Sequence, residues 1–203
     1  MKKRPIFITG IGTEIGKTIV SVVLVEKLQA DYWKPIQSGE LDNSDTMIVE
    51  SLISNKKSVF HNEAYRLSQP FSPHYSAALD GAEIDLDKIN LPQTENQLII
   101  EGAGGLMVPL NDKDLMIDLI QKLDAEVVLV SKNYLGSINH TLLSAELLKM
   151  RKIKIRNIVF SGVSNQSSEE IISKHLNTGI IRIPFFNTLN KNTILDFASK
   201  LDL

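Results

Sequence analysis

The chain has 203 residues, 22 lysines and arginines against 24 aspartates and glutamates, and no cysteine. That length suits a single domain, read as residues 1–203, with enough core to fold without disulfides or a structural metal. The missing cysteines exclude a disulfide framework, a thiolate metal site and a cysteine nucleophile, and the net charge of −2 gives no electrostatic case for nucleic acid or an anionic membrane.

The start, Met1-Lys2-Lys3-Arg4, resembles the basic head of a signal peptide, but the apolar run behind it ends at Thr9-Gly10. No stretch approaches the roughly 20 apolar residues of a membrane helix. These features predict a cytoplasmic protein without nucleic-acid or membrane partners.

Ile6–Ile8 reads as a buried strand, followed by a glycine-rich turn and a helix over Lys17–Leu28, whose Ile19, Val20, Val23, Leu24 and Leu28 recur at helical spacing. Tyr32–Ile36 reads as a short strand. Ser44 can cap a helix from Asp45 to about Ser54. The stretch Asn55–Gln97, with Pro70, Pro73 and Pro92, reads as a functional loop with a short helix. Leu98–Ile100 is a clear strand that ends in Glu101-Gly102-Ala103-Gly104-Gly105. Strands follow at Val127–Val130, Ile158–Phe160 and Ile180–Ile183, the last stopped by Pro184. Helices are predicted from Ser137, as its cap, to about Met150, over Ser168–Leu176, and over Thr193–Leu201.

The strongest local signal is Gly10-Ile11-Gly12-Thr13-Glu14-Ile15-Gly16-Lys17-Thr18, placed after a strand and at the start of a helix. Glycines let the backbone present N–H groups to phosphate oxygens, and the helix N-terminus adds partial positive charge. Lys17 can reach the β- and γ-phosphates, and the Thr18 hydroxyl can ligate Mg²⁺. Ile11 stands where the usual phosphate loop has its first glycine, so this loop is longer by one residue or bridged differently. With apolar strands alternating with helices, the expected fold is α/β: a three-layer open parallel sheet with helices on both faces, of P-loop NTPase type.

Other residues gather at predicted strand and helix ends. Glu101 follows a buried strand, where open α/β sheets bind ligands, and a carboxylate there can hold Mg²⁺ or simply be solvated at a turn. Asp45 at a helix start serves either as a dipole partner or as a metal ligand. Lys34, beside Pro35, is placed to stabilise transition-state charge near phosphates.

In this order the motifs resemble the dethiobiotin synthetase family. The likeness rests on Gly10–Thr18, Lys34-Pro35 with Ser38-Gly39, Asn43-Ser44-Asp45, Ser72-Pro73-His74, Glu101–Gly105 with Pro109-Leu110, and Leu135-Gly136-Ser137-Ile138-Asn139-His140. They span about two-thirds of the chain, and the loop without a glycine at position 11 is itself how this family's loop looks.

The resemblance implies that 7,8-diaminononanoate takes up CO₂ as a carbamate, is phosphorylated by Mg²⁺-ATP and closes to a ureido ring. It implies Lys34 and Lys17 as catalytic residues and Thr18, Asp45 and Glu101 as Mg²⁺ ligands. ATP would contact Glu14, Ile15, Gly16, Lys17, Thr18, Ile19, Asp45, Glu101, Gly102, Ala103 and Gly104. Its base would meet Ser161, Gly162, Pro184, Phe185 and Phe186. Thr13, Ser38, Gly136, Ser137 and Asn139 would contact the diamine substrate, the last three from the second subunit of a homodimer with shared active sites. His140 reads as a packing or capping residue, His74 as shaping the substrate side, and His61 and His175 as surface residues.

The chain departs from the family where the base is read. Ser161-Gly162 stands in place of an Asn-Asp pair, losing a bidentate amide match. Asn165 lies near enough in sequence to compensate, and reduced discrimination among bases is expected. Two competing classes fit less well. Corrinoid-type amidoligases carry a further domain with a cysteine nucleophile. Partitioning-type ATPase switches carry a second lysine near Ile11 or Gly12, and respond to a protein or membrane partner instead of a small diamine.

Overall fold

The computed structural model describes residues 3–202. In chain order the elements are β1 (Ile6–Gly10), α1 (Lys17–Leu28), β2 (Asp31–Trp33), β3 (Ile36–Ser38), α2 (Asp45–Leu52), β4 (Phe60–His61), β5 (Tyr65–Leu67) and α3 (Pro73–Leu79). Then come β6 (Leu98–Gly105), α4 (Met116–Lys122), β7 (Glu126–Lys132), α5 (Ser137–Met150), β8 (Ile155–Ser161), α6 (Gln166–His175), β9 (Gly179–Ile183) and α7 (Lys191–Lys200). Seven strands form a parallel sheet in the order β4-β2-β6-β1-β7-β8-β9, while β3 and β5 make a separate parallel pair.

The central strands β1, β6 and β7 carry continuous buried apolar runs because both faces of the sheet are covered there. On β7, Val127 and Leu129 face one hydrophobic cluster and Val128 and Val130 the other. The first layer is completed by Met116, Ile117, Leu119 and Ile120 of α4, Ala145 and Leu148 of α5, and Ile172 of α6. The second is completed by Val20, Val23 and Leu24 of α1, Val49 of α2 and Ile194 of α7. Each fully buried Val, Leu or Ile contributes roughly 1.5–3 kcal/mol, so this two-sided burial sets the sheet and places the strand ends.

Several boundaries differ from the sequence reading. The strand expected over Tyr32–Ile36 is two strands, β2 and β3, in different sheets. Pro35 brings no N–H to a ladder, and the chain leaves the main sheet at Lys34-Pro35. Strand β6 continues through Glu101 to Gly105 instead of ending before it. Gly136, at φ 103°, caps α5, and Ser137 is that helix's buried first residue. Helices α6 and α7 each begin two residues earlier than expected, capped by the side chains of Asn165 and Asn190. The Asn55–Gln97 stretch holds β4, β5 and α3, and α4 carried no signal that was read. The Ser44 cap is as expected: its hydroxyl accepts from the Met47 N–H at 3.4 Å. Among the described residues no helix is long and apolar enough to cross a membrane.

One buried carboxylate ties this middle stretch to the sheet. Asp31 accepts from the Val59 N–H at 2.9 Å, the Thr94 hydroxyl at 2.5 Å and the Asn96 amide at 2.9 Å. His61 Nε2 lies 3.4 Å away, so His61 is a partly buried partner of Asp31 and not the surface residue expected. Burial alone would raise the Asp31 pKa, but the donors from Asn96, Thr94, Val59 and His61 hold it below the ordinary value. A depressed folded-state pKa gives stability that is present above the unfolded value of about 3.9 and lost as pH falls through the folded value. Asp31→Asn is therefore expected to cost about 1–3 kcal/mol in urea unfolding at pH 7. Its gap from wild type should shrink in acid; a gap that is absent at pH 7 or independent of pH would remove Asp31 from this role.

Candidate active site

The carboxyl ends of β1 and β6 and the start of α1 define one corner of the sheet. Gly10 and Gly105 are paired across β1 and β6, and a Cβ on Gly10 would lie 2.1 Å from Ile15 Cδ1. Ile15 is buried in that space and pins the loop from inside. Gly16 caps α1 at φ 93°, and a Cβ there would also lie 2.4 Å from Ser161 Oγ. The loop's tight path thus depends on missing side chains at both ends.

Lys17 opens α1 and donates to the Gly12 carbonyl at 3.1 Å. Burial lowers its pKa to about 8, Lys34 adds to the fall, and Glu101 and Asp45 oppose it. A lysine held this way gains strongly when an anion enters the loop.

Glu101, 1% exposed, is the junction of the site. Its Oε1 lies 3.0 Å from the Thr18 hydroxyl and accepts from Lys34 Nζ at 3.3 Å. Its Oε2 accepts from the Ser21 hydroxyl at 2.5 Å and the Tyr32 hydroxyl at 3.0 Å. Asp45 meets the same groups: Oδ1 lies 2.8 Å from the Thr18 hydroxyl and Oδ2 lies 2.5 Å from Lys34 Nζ. Lys34 also donates to the Gly102 carbonyl at 3.3 Å.

The buried charges balance, two lysines against two carboxylates, as a buried ion network requires. Burial would push the Lys34 pKa down, but Glu101 and Asp45 outweigh it and hold it above the ordinary lysine value. Burial would raise Asp45, yet Lys34 foremost and then Thr18 and Lys17 keep it below the usual carboxylate value. Tyr32 is pushed well up by burial and by Glu101, so it stays a protonated donor to that carboxylate.

Around this network lies a cavity of about 720 Å³. Thr13, Glu14, Ile15, Gly16, Lys17, Thr18 and Ile19 line one side, and Lys34, Ser38, Asp45, Glu101, Ala103 and Gly104 line another. A second cavity, of about 190 Å³, shares Glu14, Ile15, Gly16 and Ile19 with the first and is lined by Ser161, Gly162, Pro184, Phe185 and Phe186. The structure thus brings the expected phosphate-side and base-side residues onto the two sides of one loop.

Other expected residues fall elsewhere. Gly102 lines neither cavity; a Cβ on it would meet Phe7 Cε1 at 2.6 Å, and only its carbonyl reaches Lys34. Gly136, Ser137 and Asn139 do not line the P-loop cavity of their own chain. Gly136 borders a separate cleft with Asn133 and Asn165, Ser137 is buried, and Asn139 is exposed. Asn165 does not compensate at the base side: its side chain accepts from the Ser168 N–H at 3.0 Å to cap α6 and is absent from the second cavity's lining. His140 pairs with the Tyr134 hydroxyl at 2.8 Å and borders a further cavity with Gly10–Thr13 and Gly104–Pro109, and His175 is exposed as expected. His74 is exposed; its backbone N–H bonds the Pro109 carbonyl at 3.3 Å, while Ser72 and Pro73 line the first cavity.

Sequence reasoning missed the groups that hold Glu101. Ser21 sits one helical turn beyond Lys17, a spacing that could have flagged it. Tyr32 gave no signal beyond strand propensity. Gln37, Pro70, Phe71 and Val108 on the first cavity, and Lys132 and Leu189 on the second, were also missed. Among the described residues no group of three or more His, Cys, Asp or Glu is placed to hold a metal. The Thr18, Asp45 and Glu101 oxygens instead form a partial, hard donor set, which suits a small divalent cation completed by phosphate oxygens and water.

Known proteins resemble this chain over most of its length. A family model described as an AAA domain matches residues 4–195. The ATP-dependent dethiobiotin synthetase BioD of Christiangramia forsetii is 56% identical over 168 residues, covering 83% of this chain and 81% of that protein. The protein of the same name from Cytophaga hutchinsonii is 50% identical over 199 residues, covering 96% and 95%. Among solved structures, a ParA family ATPase from Chlorobium tepidum TLS superposes with a TM-score of 0.58 at 12% identity, covering 98% of this chain and 100% of that one. That last likeness is one of fold.

Gly16→Ala places a Cβ in a left-handed conformation and against Ser161. The expected result is a loss of about 1–3 kcal/mol in thermal or chemical unfolding and a fall of roughly tenfold or more in nucleotide affinity. Wild-type values for both would show that the loop does not need this glycine.

Proposed function

The chain belongs to the ATP-dependent dethiobiotin synthetase family, and from that premise we propose how its own residues carry the reaction. Its activity is the ATP-dependent carboxylation and ring closure of 7,8-diaminononanoate in biotin biosynthesis, giving dethiobiotin, ADP and phosphate. One amine of the substrate attacks CO₂ and loses a proton, forming a carbamate. A carbamate oxygen attacks the γ-phosphorus and ADP departs. The second amine attacks the carbonyl carbon, phosphate leaves, and the five-membered ureido ring is closed.

The difficult step brings an anionic carbamate onto an anionic phosphate. Lys17 and Lys34 set positive charge on that encounter, and a site built this way works by positioning and electrostatics instead of a protein nucleophile. Lys34 stays protonated because Glu101 and Asp45 face it, so its charge is available throughout. Thr13 and Ser38, both on the same cavity as Lys34, hold the carbamate and diamine end. Backbone N–H groups over Gly16–Ile19 take the phosphates. Thr18, Asp45 and Glu101 would hold Mg²⁺, which would supply charge neutralisation at the phosphates when bound. Ser161, Gly162, Pro184, Phe185 and Phe186 form the base site. The observation that carries this assignment is the meeting of Thr18, Lys34, Ser21 and Tyr32 on one buried carboxylate, Glu101.

Gly136, Ser137 and Asn139 are assigned to the substrate carboxylate of a second copy of the chain, in a homodimer with shared sites. Their absence from the lining of their own chain's cavity supports this, as do the exposed apolar side chains of Phe71, Met107, Leu135 and Leu143. Residues 1–203 act as one cytoplasmic domain on small molecules, without nucleic acid or membrane.

The direct test is ADP release from Mg²⁺-ATP and bicarbonate with and without 7,8-diaminononanoate, with dethiobiotin detected by mass. Diamine-dependent release with the ring product is expected; release indifferent to the diamine would contradict the reading. Lys34→Ala should lower kcat by roughly 100-fold or more while nucleotide Kd changes less than about tenfold. Near-normal turnover in a folded variant would take Lys34 out of the mechanism.

A further inference from the structure

One row of residues at the carboxyl ends of three neighbouring strands faces the P-loop helix. Lys132, Ser161 and Ile183 are in register across β7, β8 and β9. Two residues earlier on the same face, Val130, Val159 and Ile181 pack into the layer that contains α1. Lys132 therefore emerges on the nucleotide side of the sheet, directly beside Ser161.

An exposed lysine at a strand end is ordinarily solvated surface. Here its amine donates to the carbonyl of Glu14 at 3.3 Å, and Lys132 lines the 190 Å³ cavity together with Ser161, Gly162 and the Pro184–Phe186 segment. Among the described residues that line this cavity there is no side-chain amide, and Asn165, the nearest candidate in sequence, is committed to capping α6. The polar side chains left to address a base are the Ser161 hydroxyl, the Glu14 carboxylate and the Lys132 ammonium. An ammonium has three donors and no acceptor. With one donor on the Glu14 carbonyl, two remain for water or for acceptors on a ligand in the cavity.

We propose that Lys132 is a specificity-determining residue that reads the acceptor edge of the nucleotide base. This rests on the reading of the smaller cavity as the base site. A charged donor favours bases that present carbonyl oxygens. Guanine, with O6 and N7 side by side, offers the best match. Cytosine offers its carbonyl, and adenine only ring nitrogens. Lys132 thereby extends the nucleotide range to GTP and CTP, where an amide reader would hold the site to adenine.

The test is equilibrium binding of the Mg²⁺ complexes of ATP, GTP and CTP to the full chain, without diamine. Wild type is compared with Lys132→Met, which keeps the apolar stem, and with Lys132→Arg, which keeps the charge. Wild type should bind GTP and CTP within about tenfold of ATP. Lys132→Met should lose roughly tenfold on GTP and CTP and under threefold on ATP, and Lys132→Arg should recover most of it. Equal weakening of all three nucleotides would place the ammonium on phosphate or ribose and overturn the proposal, as would no change at all. Because no turnover is measured, failure here is separable from failure of the synthetase reading, which the diamine-dependent ADP release decides.

Discussion

Everything at this site depends on accommodating one carboxylate in the interior. Glu101 sits on a central strand, almost fully buried, in a place where an unpaired charge would cost several kcal/mol. It is tolerated because Lys34 supplies the counter-charge and Ser21, Tyr32 and Thr18 surround its oxygens. Those partners come from the P-loop helix, from the neighbouring strand β2, and from the residue just after it where the chain leaves the sheet. The fold and the site therefore constrain each other: the helix cannot shift along the sheet without uncovering the charge.

The break between β2 and β3 follows from the same requirement. Had the strand continued through Pro35, as the sequence suggested, Lys34 would have been an ordinary strand residue. The proline ends the ladder, and Lys34 reaches Asp45, Glu101 and the Gly102 carbonyl instead. The network is electrically balanced before substrates arrive. Incoming phosphate and carbamate thus compete with Asp45 and Glu101 for Lys34 and with the Gly12 carbonyl for Lys17, two lysines whose positions are already fixed, which keeps reorganisation small at the reacting centre.

What was legible in the sequence had a local cause. The P-loop, α1 and its boundaries, the Ser44 cap and the core strands follow from glycines, periodicity and capping chemistry over a few residues. Lys34 and Asp45 could be named because each lies at an element end, and Glu101 because small residues follow it, although it sits inside β6. What was hidden depends on register between distant strands. Lys132 reaches the smaller cavity only because β7 and β8 pair Lys132 with Ser161, and Tyr32 matters only because β2 lies against β6. Asn165 failed as a base reader for a local reason that was available: an Asn immediately before a helix is well suited to cap it.

The central claim is that Glu101 organises both the lysine and the metal side of the site. Glu101→Gln tests it most directly, because the amide keeps the shape and the hydrogen bonding of Ser21 and Tyr32 while removing the charge. The variant's turnover should be measured as a function of Mg²⁺ at saturating ATP and diamine, with its unfolding temperature as a check on the fold. A folded variant with kcat lower by roughly 100-fold and a Mg²⁺ requirement higher by about tenfold is the predicted result. Turnover near wild type at the same Mg²⁺ would contradict the claim and leave Glu101 a structural carboxylate.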